Sequence, residues 1–258
     1  MNLFKEVTGK GKNVVLLHGW GCDHRHMQPI AELLSKHYRV SNYDLPGRGG
    51  SSDAWHDDIE SIDDMADCLL HALPENAVYI GWSFGGLLSL SIASRYPERV
   101  ERYIGICSLP KFIETDNWPA VAKPGFTAPF KAGLAEKGVK QFFQDYYDME
   151  FEGVSKDALY DHLVDALDDA DNIDLDILLQ GTEICDSADL RKEFSSVDCP
   201  IDLILTANDH SAPAAVYDQV QALNPTANLH VMKVGQHLPF FTHPKEFNEI
   251  LLSVLNLR

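Results

Sequence analysis

The segment Ala77-Val78-Tyr79-Ile80 runs without a break into Gly81-Trp82-Ser83-Phe84-Gly85-Gly86, and a helical pattern follows over residues 87–96. An apolar strand that turns into a helix across G-x-S-x-G leaves a chain little freedom. The turn is tight enough to force its middle residue into strained φ/ψ, which pushes the Ser83 hydroxyl out at the end of the strand. Gly81 and Gly85 are small enough for the chain to cross itself there. The helix then aims its first N–H groups, and the positive end of its dipole, at a developing oxyanion.

The rest of the chain supplies the setting such a turn requires. Apolar runs at 14–17, 38–43, 100–107, 201–205 and 229–234 read as strands. Between them lie helical patterns at 27–37, 59–73 and 214–223, and Pro244 opens a last one carrying Phe247, Ile250, Leu251, Val254 and Leu255. Ser61 with Asp64 reads as a capping pair at the start of the second helix. This alternation predicts an α/β fold with a mostly parallel central sheet flanked by helices. It stops between residues 110 and 190, where the pattern is helical throughout. Residues 1–109 and 191–258 are therefore read as the core, and 110–190 as a helical cap inserted into it.

A serine hydroxyl attacks near neutral pH only if an imidazole takes its proton and a carboxylate holds that imidazole in the right tautomer. Asp209, after the strand at 201–205, and His237, after the strand at 229–234, stand where strands reach their carboxyl ends. His210 and His243 are the rival bases, and Asp198 and Asp202 the rival acids, but none stands in the loop after its strand in the required order. His18-Gly19-Trp20-Gly21 closes the first strong strand and supplies a second oxyanion turn. Its donors would be the backbone N–H groups of Trp20 and Phe84, with His18 bracing the loop and the Trp20 ring over the acyl pocket.

Composition excludes several other functions. With 21 basic and 39 acidic residues the formal charge is −18, which leaves no basic footprint for nucleic acid or anionic lipid. No apolar run is long enough to span a membrane and no secretory signal is visible. Five scattered cysteines form neither a disulfide framework nor a zinc motif, and are read as reduced thiols in a cytoplasmic protein. Asp23, His24 and His26 hint at a metal, but they sit at a helix start with no further ligand near them in sequence. No metal or cofactor is expected.

His18-Gly19-Trp20-Gly21, Asp44-Leu45-Pro46-Gly47 with Gly49 and Ser51, residues 81–86, Asp209, and His237 with Pro239-Phe240 and His243-Pro244 together resemble the α/β-hydrolase superfamily. The tryptophans of H-G-W-G and G-W-S-x-G-G, Trp118-Pro119 and Asp189-Leu190-Arg191 are similar to the pimeloyl-[acyl-carrier protein] methyl ester esterase family of biotin synthesis. The likeness covers both ends of the chain and the edges of the cap, and fades between residues 123 and 179. It implies the α/β-hydrolase fold and a serine carboxylesterase that hydrolyses the methyl ester through an acyl-enzyme. Ser83 is then the nucleophile, His237 the general base and later acid, and Asp209 its orienter. Trp20 and Phe84 bind the oxyanion, and Phe142, Phe143 and Tyr146 line the acyl channel. Acyl carrier protein bearing the substrate is the implied partner, with small esters as further substrates.

The cap departs from that family. Residues 145–189 hold fifteen acidic residues and a single lysine, Lys156, a charge that repels an acidic carrier protein within about a Debye length. Residues 111–140 instead carry Lys111, Lys123, Lys131, Lys137 and Lys140 against three acids. Lys131, Lys137 and Lys140 are therefore the candidate docking face, the plain alternative being solvated helix lysines. Two other functions use the same residues: a general short-chain carboxylesterase or related hydrolase of other specificity, and a ligand receptor that keeps a hydrolase fold.

Overall fold

The computed structural model describes residues 3–119 and 127–257. Lys123 therefore lies outside the described residues. Seven strands form one sheet: β1 (Lys5–Gly9), β2 (Asn13–Leu17), β3 (Arg39–Tyr43), β4 (Ala77–Trp82), β5 (Val100–Ile106), β6 (Ile201–Thr206) and β7 (Asn228–Met232). Their order is β1-β3-β2-β4-β5-β6-β7, with β1 antiparallel to β3 and every other pairing parallel. Helices α1 (Gln28–Leu34), α2 (Ile62–Leu70) and α3 (Phe84–Arg95) belong to the first half of the core. The segment between β5 and α7, read above as a cap, holds α4 (Thr127–Glu150), α5 (Ala158–Asp165) and α6 (Leu175–Ser187). The core then resumes with α7 (Arg191–Ser196), α8 (Tyr217–Leu223), α9 (Pro239–Thr242) and α10 (Pro244–Val254).

β2 explains why the sheet is so legible in the sequence. Val15 and Leu17 enter one core with Met65 of α2, Leu87 of α3, Phe194 of α7 and Val220 of α8. Val14 and Leu16 enter the other with Ile30 of α1 and Leu251 of α10. A parallel strand covered on both faces buries every side chain, so it reads as an unbroken apolar run. Each such side chain contributes about 1.5–3 kcal/mol. Ser61 caps α2 as expected: its Oγ accepts the Asp64 N–H at 3.2 Å and donates to the Asp64 carboxylate at 2.6 Å.

β1 is the strand that periodicity does not reveal. Its residues alternate between exposed and half-buried, and Val7 is left exposed at the sheet edge. The first helix is also shorter than its apolar spacing suggests. It ends at Leu34, whose carbonyl accepts the N–H groups of both His37 and Tyr38 in a closing turn.

The winding direction reverses between β2 and β4, which lie side by side with Leu17 paired to Gly81. Ligands of open α/β sheets bind beyond the carboxyl ends of the strands at such a reversal. The turns that leave β2 and β4 there carry Trp20 and Ser83. The cap covers this edge and is tied down by polar contacts. Trp20 Nε1 donates to the Leu178 carbonyl at 2.9 Å, and His162 Nε2 donates to the Arg25 carbonyl at 2.8 Å. Among the described residues, no helix is long and apolar enough to cross a membrane.

Candidate active site

Ser83 caps the N-terminus of α3 at φ 53° and ψ −117°. A non-glycine residue held there costs about 1–3 kcal/mol, and the surroundings over-determine it. Its N–H donates to the Ile106 carbonyl at 2.9 Å, and its carbonyl accepts the Ser108 hydroxyl at 2.8 Å and the Gly86 N–H at 2.9 Å. The glycines are required by contact. A Cβ on Gly81 would stand 2.2 Å from the Gly85 carbonyl oxygen, and one on Gly85 would stand 2.2 Å from that of Leu17.

His237 and Asp209 meet Ser83 from the loops after β7 and β6. His237 Nε2 lies 2.8 Å from Ser83 Oγ, and its Nδ1 lies 3.0 and 2.9 Å from the two Asp209 carboxylate oxygens. Asp209 Oδ1 also accepts the N–H groups of Ser211 and Ala212, at 2.7 and 3.0 Å. Trp82, the residue before Ser83, donates its indole N–H to the His237 carbonyl at 2.8 Å. Burial opposes charge on Asp209, but His237 and the two N–H groups outweigh it and hold the carboxyl below its ordinary range. At His237 burial likewise opposes the cation, and the Asp209 carboxylate outweighs it and raises the imidazole. With Nδ1–H donated to Asp209, Nε2 is left as an acceptor facing the Ser83 hydroxyl. Such a chain can take a proton from Oγ and return it to a leaving group.

The turn after β2 lies beside Ser83. Its His18 is fully buried: Nδ1 donates to the Gly19 carbonyl at 2.8 Å and Nε2 accepts the Leu45 N–H at 3.0 Å. Burial, only partly offset by Asp44, pushes His18 down to about 4. It is thus a neutral brace for the loop. Phe84 is the first residue of α3, directly after Ser83.

A cavity of about 320 Å³ opens over Ser83 and His237. Trp20, Phe142, Phe143 and Tyr146 all line it, together with Phe130 and Met149. Trp20 makes an edge-on contact with Phe130, their centroids 5.3 Å apart, and Phe142 makes another with Phe143 at 5.6 Å. Among the described residues, no lysine or arginine lines this space.

Lys131, Lys137 and Lys140 lie elsewhere, on the outside of α4. Lys131 pairs with Glu183, Lys137 with Asp145 at 2.6 Å, and Lys140 with Asp168 at 3.3 Å. Lys111 pairs with Asp189 at 2.8 Å. The candidate docking lysines thus each face an acid of the cap.

Among the described residues, two clusters have metal-ligand chemistry. Asp23 and His24 are joined by Asp44, a ligand that lies distant in sequence. Its Oδ1, however, accepts both the N–H and the Nδ1–H of His24, each at 2.7 Å, and its Oδ2 accepts the Gly50 N–H at 2.7 Å. These bonds brace a loop. Cys107 lies against Asp209 and His237, but burial raises its thiol well above the ordinary range, which makes it a poor ligand and nucleophile.

Two neighbours of the site are not marked as such in the sequence. His210 reads there only as a rival base, whereas its ring lies 5.9 Å from that of His237 and lines the cavity. Glu150, one of many cap acids, is buried behind His237. No spacing distinguishes it.

The family model described as the alpha/beta hydrolase family matches residues 14–250. Among solved structures, the chain is similar to the bromoperoxidase from Bacillus anthracis, with 26% identity, a TM-score of 0.82 and coverage of 98% of this chain and 95% of that one. It is similar to the enol-lactonase from Burkholderia xenovorans LB400 at 20% identity and a TM-score of 0.78, covering 98% and 96%. It is also similar to an esterase from Exiguobacterium antarcticum at 18% identity and a TM-score of 0.82, covering 98% and 95%.

Proposed function

The chain belongs to the alpha/beta hydrolase family, and from that premise we propose that it is a serine carboxylesterase acting on the methyl ester of an apolar acyl chain. Pimeloyl-[acyl-carrier protein] methyl ester, in the cytoplasm, is the substrate that the motif resemblance implies. One observation carries the reading: the hydrogen-bonded series Ser83–His237–Asp209 stands at the floor of an aromatic cavity.

In this reading Ser83 Oγ attacks the ester carbonyl as its proton passes to His237 Nε2. The imidazolium is stabilised by Asp209, and the oxyanion is received by the backbone N–H groups of Trp20 and Phe84. Collapse expels methanol, which takes the proton from His237. Water then repeats the sequence on the acyl-enzyme and releases the acid. An uncharged ester enters an apolar space readily, whereas the carboxylate product is poorly solvated there. That asymmetry favours product release, and it suits a substrate whose terminal charge is masked by methylation.

A second reading, a general esterase for free apolar esters, is favoured by the pairing of Lys131, Lys137 and Lys140 with cap acids. The deciding experiment measures kcat/KM on methyl esters of increasing acyl length, free and carrier-linked, beside fluorophosphonate labelling. Labelling that disappears in Ser83→Ala supports the esterase; an unlabelled native protein overturns it in favour of a receptor. A carrier-linked pimeloyl ester preferred over its free form, with complementation of a biotin auxotroph lacking its esterase, supports the biotin substrate. Charge reversal at Lys137 and Lys140 that raises KM only for the carrier-linked ester supports docking there. Equal effects on both substrates overturn it.

A further inference from the structure

Glu150 ends α4 with its side chain wholly buried, and nothing in the reaction described above uses it. Its Oε2 accepts the N–H of Leu238, the residue after His237, at 2.9 Å. Among the described residues its Oε1 has no hydrogen-bond partner and stands 3.5 Å from His210 Nδ1, which has none either. One residue earlier on the same helix, the Met149 carbonyl accepts the Gln236 side-chain N–H at 3.2 Å. The cap thus holds the residues on both sides of His237, Leu238 by its backbone N–H and Gln236 by its side chain. From the opposite side, Trp82 holds the His237 carbonyl and Thr206 Oγ1 donates to the Gln236 carbonyl at 2.8 Å.

We propose that Glu150 is a positioning residue of this active site: from the cap it fixes the backbone that carries His237 and, with His210, sets the field in which that imidazole takes up a proton. The inference rests on the esterase reading. A buried carboxyl with one oxygen unmatched is expensive unless its charge or its proton is used. The groups that face it are known. Asp209 and His210 come from the loop after β6, His237 from the loop after β7, Cys107 from the end of β5, and Tyr146 from its own helix. Burial pushes the Glu150 carboxyl up to about 7, with Asp209 adding to that, while His237 and the backbone N–H of Leu238 draw it down. Against burial, which lowers His237, the Glu150 charge adds to that of Asp209 in raising it. Below neutrality the carboxyl holds a proton that its unmatched oxygen can share with His210. When ionised, it is a second counter-charge for the imidazolium.

Glu150→Gln keeps an oxygen for the Leu238 N–H and removes the charge. With any ester the native enzyme hydrolyses, the acid limb of its kcat/KM profile should move to lower pH by about half a unit, because His237 loses a neighbouring anion. The plateau should fall severalfold. An acid limb that coincides with the native one overturns the proposal, whatever happens to the plateau. If the variant fails to fold, the native protein decides. The ring ¹⁵N shifts of His237 should follow two steps, one of them the titration of a coupled neighbour close to neutrality; a single step overturns the proposal. A native protein that hydrolyses no ester defeats the esterase reading instead, and the two-step titration still tests Glu150.

Discussion

His237 Nε2 lies 2.8 Å from Ser83 Oγ although 154 positions separate the two residues. The distance is already that of a formed hydrogen bond, so no domain closure is needed to assemble nucleophile and base. What remains is to keep the imidazole in the tautomer that leaves Nε2 unprotonated, and among the described residues it is Asp209 that engages Nδ1. Asp209→Asn should therefore lower kcat by roughly 10⁴ with little change in KM, since an amide can hold the ring in the wrong tautomer. Steady-state kinetics on one ester settle this. A near-native kcat would mean that another carboxylate serves.

The elbow makes a second prediction, about folding. A Cβ on Gly85 would press to 2.2 Å from the Leu17 carbonyl oxygen and 2.6 Å from that of His18. Both are backbone atoms of the adjacent strand and turn, which cannot step aside without disturbing the Ser83 turn. Gly85→Ala should destabilise the protein by about 3 kcal/mol or more, the range expected of severe overpacking. Urea unfolding measures it directly. A loss under about 1 kcal/mol would show that the crossing can relax.

The contrast between Gly85 and Glu150 marks how far the sequence alone reaches. Gly85 is legible because the crossing of strand and helix is local chemistry, fixed by five consecutive residues. Ser83, Asp209 and His237 are legible because each follows an apolar strand, and strands buried on both faces announce themselves. β1 is not, since Lys5, Val7 and Gly9 face outward and it pairs in the sheet with β3 at its edge. Glu150 and His210 are not, because nothing near them in sequence says that a cap helix will end on the His237 loop. Asp44 joins Asp23 and His24 for the same reason: folding, and no spacing, brings the loops after β2 and β3 together.

The cavity makes a third prediction. Phe142 meets Phe143 and Phe130 with ring centroids 5.6 and 5.4 Å away, so its ring is part of the wall that bounds the space over Ser83. Phe142→Ala should lengthen the accommodated acyl chain. Each added methylene that becomes buried is worth about 0.8 kcal/mol, or roughly fourfold in kcat/KM. The ratio of kcat/KM for long over short methyl esters is the measurement. A ratio unchanged from the native enzyme would place the acyl group elsewhere.

The buried carboxyl behind His237 makes the last prediction, on stability against pH. An unfolded chain returns Glu150 to its ordinary 4.5, whereas the fold holds it at about 7. Between those values the native state binds more protons than the unfolded state, so stability falls as pH rises through that window. The full difference corresponds to about 3 kcal/mol at 1.36 kcal/mol per unit. His237, also raised in the fold, adds to the decline in the same direction above pH 6.5. Asp209, held below its ordinary value, contributes stability that is lost only when pH falls through the acid range. Below pH 6.5 His18 and His210, both held low in the fold by burial, add a rise with pH that the native protein and Glu150→Gln share, so it is the unfolding free energy of the native protein relative to that of Glu150→Gln, which has no proton to release, that should fall from about pH 5 to pH 8. Parallel slopes in the two proteins would assign that proton uptake to another group.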